Sequence, residues 1–230
     1  MAIKQDEIIK TISKGFHTPT ESPATIARCA ISIVKETGRD HVYDSNNDYN
    51  QPFLTDEQIN DVNTQSGEAA VVKFFTPLFA ALFKDKIIIN SETIAWLETG
   101  GKPMKPDLFA VPRWAYFAVF DKFSHGDDRP CGKVMDSRLY DTLYILDCKC
   151  TCTNEAFGEL IIHMQHQNSA KNPKISRGML FGKSEFWLAT VQGTELIERT
   201  VGKWNQNGSG NHIKSFFSTT RMGRCGESLS

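Results

Sequence analysis

The chain has 230 residues, of which 40% are hydrophobic and 23% are charged, and its formal net charge is −1 at pH 7. This composition is ordinary for a globular protein, and it excludes collagen, a coiled coil, extended disorder and a disulfide-stapled miniprotein. The apolar runs are far shorter than the ~20 residues needed to span a bilayer. No basic segment followed by an apolar one opens the chain. We therefore expect neither a membrane span nor a secretory signal.

Charge and cysteines give weaker indications. Residues 171–230 hold nine Lys/Arg and four Asp/Glu, whereas residues 1–170 hold 17 and 23. The basic part would suit an anionic polymer and the acidic part a cation, although a solvated surface with a chance asymmetry explains the pattern equally well. The six cysteines do not form a disulfide framework, and we interpret them as reduced thiols.

Two helices are predicted in the first 40 residues. The second has Ser22 as its N-cap, Pro23 at its first position and Gly38 just past its end. The polar loop at 40–55 is a plausible boundary. The predicted division is a helical N-terminal appendage at 1–54, a main domain at 55–220 and a tail at 221–230.

The main domain combines helices with short extended runs. Thr55 and Gln58 fit a capping box, and a long helix begins at Ser66 and is broken or kinked near Pro77. A second helix covers about 154–167. Strands are predicted at Ile87–Ile89, Leu108–Val111, Ala115–Phe120, Leu143–Cys148, Gly178–Phe181 and Phe186–Val191. This order predicts an α/β fold with a mixed central sheet flanked by helices.

Two short motifs suggest chemistry. Asp107 follows Pro106 at the start of one strand, and Asp147 and Lys149 lie on the same face at the end of another, because side chains alternate along a strand. Two neighbouring carboxylates suit Mg²⁺ or Mn²⁺, and the lysine can hold water or stabilise charge on a phosphoryl group. The alternative is that Asp107 caps a turn while Asp147 and Lys149 form an ion pair.

Three cysteines alternate through the second motif. Cys148, Cys150 and Cys152 are predicted to lie together on the opposite face, under the helix that follows, as small buried thiols. A zinc site completed by His163 is the alternative, although the C-x-C-x-C spacing is unusual for zinc.

These motifs resemble the PD-(D/E)xK nuclease superfamily. The likeness extends over roughly residues 60–220 and is greatest to the nuclease-like domain of Crinkler effectors of oomycetes and fungi. The segments that resemble that domain are KPDLF at 105–109, LDCK at 146–149, AFGEL at 156–160, RGMLF at 177–181 and the tail Trp204…Gly208-Ser209…Phe216-Phe217. The resemblance implies a restriction-endonuclease-like core.

The resemblance also implies roles for single residues. Asp107 and Asp147 would be metal ligands for Mg²⁺ or Mn²⁺, and Lys149 would be the catalytic lysine. Glu68, near the start of the Ser66 helix, matches a glutamate that often adds a metal ligand, although a glutamate there also suits the helix dipole.

Four further residues are candidates for contact with nucleic acid. Glu159 lies on the helix after the lysine, where the superfamily often places a polar residue, and His163 shares its helical face. Arg177 and Lys183 flank a strand in the basic segment and would touch phosphates. A solvated helix face and ordinary surface charge are the alternatives.

The chain departs from the pattern in two respects. Asp147 stands where glutamate is commoner, and 39 residues separate it from Asp107, including a loop at 124–133 that would cover the substrate groove. Viral cap-snatching endonucleases use a similar set with a histidine, for which His41 is the candidate here.

The resulting expectation is a metal-dependent nuclease that acts on DNA inside a host cell, in the nucleus. In many relatives a protein-kinase domain follows. The first alternative is a catalytically inactive module that binds nucleic acid or regulates a partner such as a kinase domain. The second is a protein-interaction domain with an exposed apolar patch.

Overall fold

The computed structural model describes residues 21–44, 50–90, 97–99, 102–104, 106–117, 144–170 and 175–218. The predicted first helix, the loop at 124–133 and the tail at 221–230 lie outside these ranges. The helices are α1 (Pro23–Glu36), α2 (Asp56–Thr64), α3 (Glu68–Leu82), α4 (Arg113–Phe117), α5 (Asn154–Ala170) and α6 (Ser209–Phe216). The strands are β1 (Asp40–Val42), β2 (Lys86–Asn90), β3 (Leu97–Thr99), β4 (Lys102–Met104), β5 (Leu108–Pro112), β6 (Tyr144–Cys148), β7 (Ile175–Phe181), β8 (Glu185–Gln192) and β9 (Glu195–Lys203).

Seven of these strands form one mixed sheet. Their order is β1-β9-β8-β7-β6-β5-β2, while β3 and β4 pair separately. The pairs β1/β9 and β6/β7 are parallel, and the other pairs in the sheet are antiparallel. Helix α5 connects β6 to β7, as a parallel connection requires. The predicted α/β class with a mixed sheet flanked by helices is confirmed.

Alternation along the strands divides the core into two parts. On one face, Phe109 and Ile145 pack with α1 and α5. On the other face, Leu108 and Leu146 pack with α2, α3 and α6. Because side chains of odd number in β5 and β6 point towards α5, the aspartates at 107 and 147 belong to the α5 side of the sheet.

The predicted helix signals hold in detail. The Ser22 side chain accepts a hydrogen bond from the Thr25 N–H, and Pro23 begins α1. Thr55 and Gln58 form the reciprocal capping box of α2. Helix α1 is held against the rest of the fold by its apolar face. Its residues Ile26, Ala27, Ile31 and Val34 lie in the core shared with α5.

Part of the predicted N-terminal appendage is a layer of this fold. Helix α1 packs against α5, and β1 extends the sheet beside β9. Gly158 of α5 makes the close approach possible, because a Cβ at this position would lie 1.9 Å from the carbonyl oxygen of Pro23. The main core thus includes residues from the segment before position 55.

Two element predictions are corrected by the structure. Residues 115–117 of the predicted strand Ala115–Phe120 belong to helix α4, because a short apolar run fits a helix as well as a strand. Helix α3 begins at Glu68, after Gly67, and continues through Pro77 without a break. Within the described ranges, no helix is both long and apolar enough to cross a membrane.

Candidate active site

Asp107 and Asp147 lie opposite each other on adjacent antiparallel strands. The last paired residues of β5 and β6 at this end are Leu108 and Leu146, and the two aspartates occupy the next position of the same register. Asp147 is the fourth residue of β6, and Asp107 directly precedes β5. Two segments far apart in sequence thereby place two carboxylates at one point of the sheet, as the sequence predicted.

Backbone groups hold both carboxylates in place. The Cys148 N–H donates to Oδ2 of Asp107 at 2.6 Å, and the Asp107 N–H donates to Oδ1 of Asp147 at 3.4 Å. Each aspartate therefore bonds to the strand of the other. No sequence signal indicates this exchange, because it depends on the pairing of the two strands.

The close approach of two acids has an electrostatic consequence. Burial, followed by the neighbouring charge of Asp147, raises the pKa of Asp107 to about 7, against the opposing effects of the Cys148 N–H and Lys149. Burial is the larger of the two causes, and the repulsion between the two carboxylates adds to it. A cation placed beside the two carboxylates would relieve this repulsion.

Lys149 lies just past the end of β6, between the helical layers on the two sides of the sheet. Its Nζ lies 3.3 Å from Oε2 of Glu68 and 3.6 Å from Oε2 of Glu159. Burial lowers the pKa of Lys149, but the carboxylates of Glu159, Glu68 and Asp147 more than offset this, so that its pKa lies above the usual value. Lys149 is a protonated, positioned cation at neutral pH.

Glu68 reaches the site from the opposite face of the sheet. It is the first residue of α3, and the Sγ of Cys148 contacts its backbone carbonyl at 3.8 Å. The structure therefore brings Glu68, the third acidic residue of the predicted catalytic set, to Lys149. In this arrangement its carboxylate binds the lysine.

Helix α5 supplies two further contacts, one turn apart. Glu159 pairs with Lys149, and the Nδ1 of His163 lies 3.0 Å from Oδ2 of Asp147. Glu159 is partly exposed, whereas His163 is buried. The shared helical face predicted for these two residues is present, but the solvated-face alternative does not describe His163.

Arg177 and Lys183 each bind the end of a helix. Arg177 donates to the carbonyl oxygens of Phe216 and Ser218 and lies over the Phe216 ring. Lys183 donates to the carbonyl oxygens of two residues that close α2. Both side chains therefore have hydrogen-bond partners within the protein, whereas the sequence suggested that they would be available to contact phosphates. Neither is paired with Asp107 or Asp147.

The predicted grouping of the three alternating cysteines is wrong. Cys148 and Cys150 pack on the α3 side of the sheet, whereas Cys152 packs on the α5 side, because the strand ends at Cys148. His163 contacts Asp147 instead of a thiol. Burial also raises the pKa of the Cys148 and Cys152 thiols far above the usual value, which opposes zinc binding. The four cysteines in the described ranges are free.

His41, the candidate from the cap-snatching comparison, is far from the acids in the fold. It lies in the edge strand β1, which three strands separate from β6. Its Nε2 faces Glu198 at 3.8 Å. The structure therefore does not bring His41 to the acidic pair.

The carboxylates of this site fit a hard divalent cation only if water and substrate supply the rest of its ligands. In the part of the chain that the structure describes, no three His, Cys, Asp or Glu side chains gather around one point. Mg²⁺, however, is commonly held by one or two carboxylates, with water and substrate phosphate completing its coordination. Asp147, which is buried, and Asp107, which is half-buried, fit that mode.

Comparisons with family models, with curated proteins and with solved structures give no match for this chain.

Proposed function

We propose that this protein is a Mg²⁺- or Mn²⁺-dependent nuclease that hydrolyses phosphodiester bonds in DNA. The observation that supports this most strongly is the convergence of Asp107, Asp147, Lys149 and Glu68, which come from three separate segments of the chain. A pair of carboxylates beside a fixed ammonium group is the equipment that metal-assisted phosphoryl chemistry needs.

The order of the elements supports a restriction-endonuclease-like core of the PD-(D/E)xK type. A helix with Glu68 at its start precedes β5 and β6, Asp107 directly precedes β5, and Asp147 and Lys149 lie at the end of β6. Helix α5, with Glu159, follows. This is the order in which the resemblance places the corresponding functional residues.

Each residue would have a distinct role. Asp107 and Asp147 would hold the cation, which supplies charge neutralisation and activation of water when bound. Lys149 would orient the attacking water and stabilise negative charge on the phosphoryl group. Glu68 and Glu159 would keep Lys149 protonated and directed towards the acids.

The substrate and setting belong to the same proposal. DNA in a host cell nucleus, and a kinase domain as partner in longer relatives, are what the resemblance to Crinkler effectors implies. The basic balance of residues 171–230 supports an anionic partner.

A catalytically inactive module that binds nucleic acid or regulates a partner such as a kinase domain is the second candidate. It is favoured by the lack of three gathered ligands among the described residues. It is also favoured by the pairing of Lys149 with two glutamates, which leaves the lysine engaged before any substrate arrives.

A cleavage assay distinguishes the two candidates. Plasmid DNA, single-stranded DNA and RNA are each incubated with the protein and Mg²⁺ or Mn²⁺, with a chelator and with Asp107→Ala as controls. The nuclease cleaves DNA only with metal and only with Asp107 present. The inactive module binds a polymer equally well in chelator and after Lys149→Ala, and it cleaves none of them.

A further inference from the structure

We infer that His163 is a positioning residue for Asp147, which it holds in place for binding of the cation. This inference rests on the proposed function, and it assigns to His163 a role other than contact with nucleic acid. It arises from the packing of α5 against the acidic pair.

The Asp147 carboxylate is restrained at both oxygens. Oδ1 accepts from the Asp107 N–H at 3.4 Å, and Oδ2 lies 3.0 Å from Nδ1 of His163. Asp147 is only 4% exposed and His163 only 9%. Rotation of the carboxylate away from Asp107 would therefore require the imidazole to move within a packed core.

The imidazole is fixed by packing. Its neighbours on α5, Leu160, Ile161 and Met164, are buried. The ring nitrogen stands at ion-pair distance from Oδ2 without the alignment of a hydrogen bond. Its position is thus determined by the helix, and Asp147 is held against it.

The buried position of His163 disfavours the contact with nucleic acid that the sequence suggested. Glu159, one turn earlier on the same helix, is exposed enough to meet a substrate and contacts Lys149. His163 lies beneath it, at the base of the site. Helix α5 thus positions Lys149 through Glu159 and positions the carboxylate of Asp147 through His163.

Partners that orient a ligating carboxylate contribute strongly to metal affinity, and their loss usually weakens binding by roughly 10–100-fold. The same loss is expected here if the nitrogen of His163 is removed while its volume is kept. A side chain that restores a nitrogen at this position should restore binding.

The test measures Mn²⁺ binding to the metal-free protein by calorimetry. His163→Phe keeps a ring without a nitrogen, His163→Asn restores a nitrogen close to the backbone, and His163→Leu replaces the Phe variant if that one does not fold. His212→Asn, a half-buried histidine on α6, is the control. We expect roughly 10–100-fold weaker Mn²⁺ binding in the apolar variants, with most of the affinity retained in His163→Asn and all of it in the control.

A second readout separates positioning from contact with nucleic acid. DNA affinity measured in chelator should be unchanged in every His163 variant. Equal Mn²⁺ affinity in wild type and the folded apolar variants overturns the inference and leaves the proposed function standing. The absence of Mn²⁺ binding in the wild type overturns the proposed function itself, and the inference with it.

Discussion

The Nζ of Lys149 lies 3.3 Å from Oε2 of Glu68, although the two residues are 81 positions apart. Glu68 begins a helix on one face of the sheet, and Glu159, the other partner of the lysine, belongs to the helix on the opposite face. Lys149 therefore joins the two layers at the edge where Asp107 and Asp147 meet. Its charge is held beside the acids by groups from both sides, which is why we assign it an electrostatic role.

The raised pKa of Asp107 predicts that the metal-free protein loses stability as the pH rises. The pKa of Asp107 is about 7 in the folded chain, against an ordinary value of 3.8. Between these values the folded state binds a proton that the unfolded state has released. The free energy of unfolding therefore decreases from about pH 4 to about pH 7, by at most about 4 kcal/mol from this group.

Urea unfolding at a series of pH values checks this prediction. Asp107→Asn should remove that part of the decrease, whereas the exposed Asp61→Asn should leave it in place. Parallel pH profiles for wild type and Asp107→Asn would show that the pKa of Asp107 is not raised in the folded chain.

Gly158→Ala should destabilise the protein, against the usual direction of this substitution in a helix. Alanine normally stabilises a helix interior by about 1 kcal/mol relative to glycine. Here the added Cβ would lie 1.9 Å from the carbonyl oxygen of Pro23, so α1 must move away from α5. We expect a loss of roughly 1–3 kcal/mol.

Chemical denaturation measures this loss. Ala156→Gly on the same helix is the comparison, because removing a buried methyl group should destabilise the protein in the usual way. Crystal structures of the two variants would locate the displacement. An increase in stability for Gly158→Ala would mean that the two helices are not in contact at this point.

Arg177→Ala should lower stability and leave DNA affinity unchanged. The guanidinium donates to carbonyl oxygens of Phe216 and Ser218 at 2.8 and 3.2 Å. Losing these charged hydrogen bonds should cost roughly 1–3 kcal/mol. Denaturation gives the stability, and fluorescence anisotropy with labelled DNA gives the affinity. A variant of normal stability that binds DNA tenfold more weakly would assign Arg177 to the substrate, as the sequence alone suggested.

The central part of the fold could be predicted from the sequence because its signals are local. The caps at Ser22 and Thr55 and the apolar runs of β2, β5, β6, β7 and β8 each depend on neighbouring residues. Strand β9 gave no such signal, since Glu198 and Arg199 interrupt its apolar pattern. Arg199 is accommodated there by its ion pair with Asp40, a distant residue, and by its position over the Phe157 and Trp187 rings.

The residues of the candidate site also divide into those that local sequence predicts and those that depend on tertiary packing. The positions of Asp107, Asp147 and Lys149 follow from alternation along two strands, so the sequence indicates that they meet. The burial of His163 could not be predicted, because α5 is covered by the sheet on one side and by α1 on another. The regular spacing of polar residues along α5, His163 among them, therefore does not mark a solvent-exposed face of the helix.

The measurement that tests the central claim most directly is the rate of plasmid DNA cleavage in Mn²⁺ by the wild type and by Lys149→Met. Lys183→Met, which removes a lysine that binds a helix end, is the matched control. We predict metal-dependent cleavage by the wild type, a decrease of about 10²-fold or more in Lys149→Met, and a rate close to wild type in the control. No cleavage by the wild type, or equal cleavage by wild type and Lys149→Met, would contradict the account.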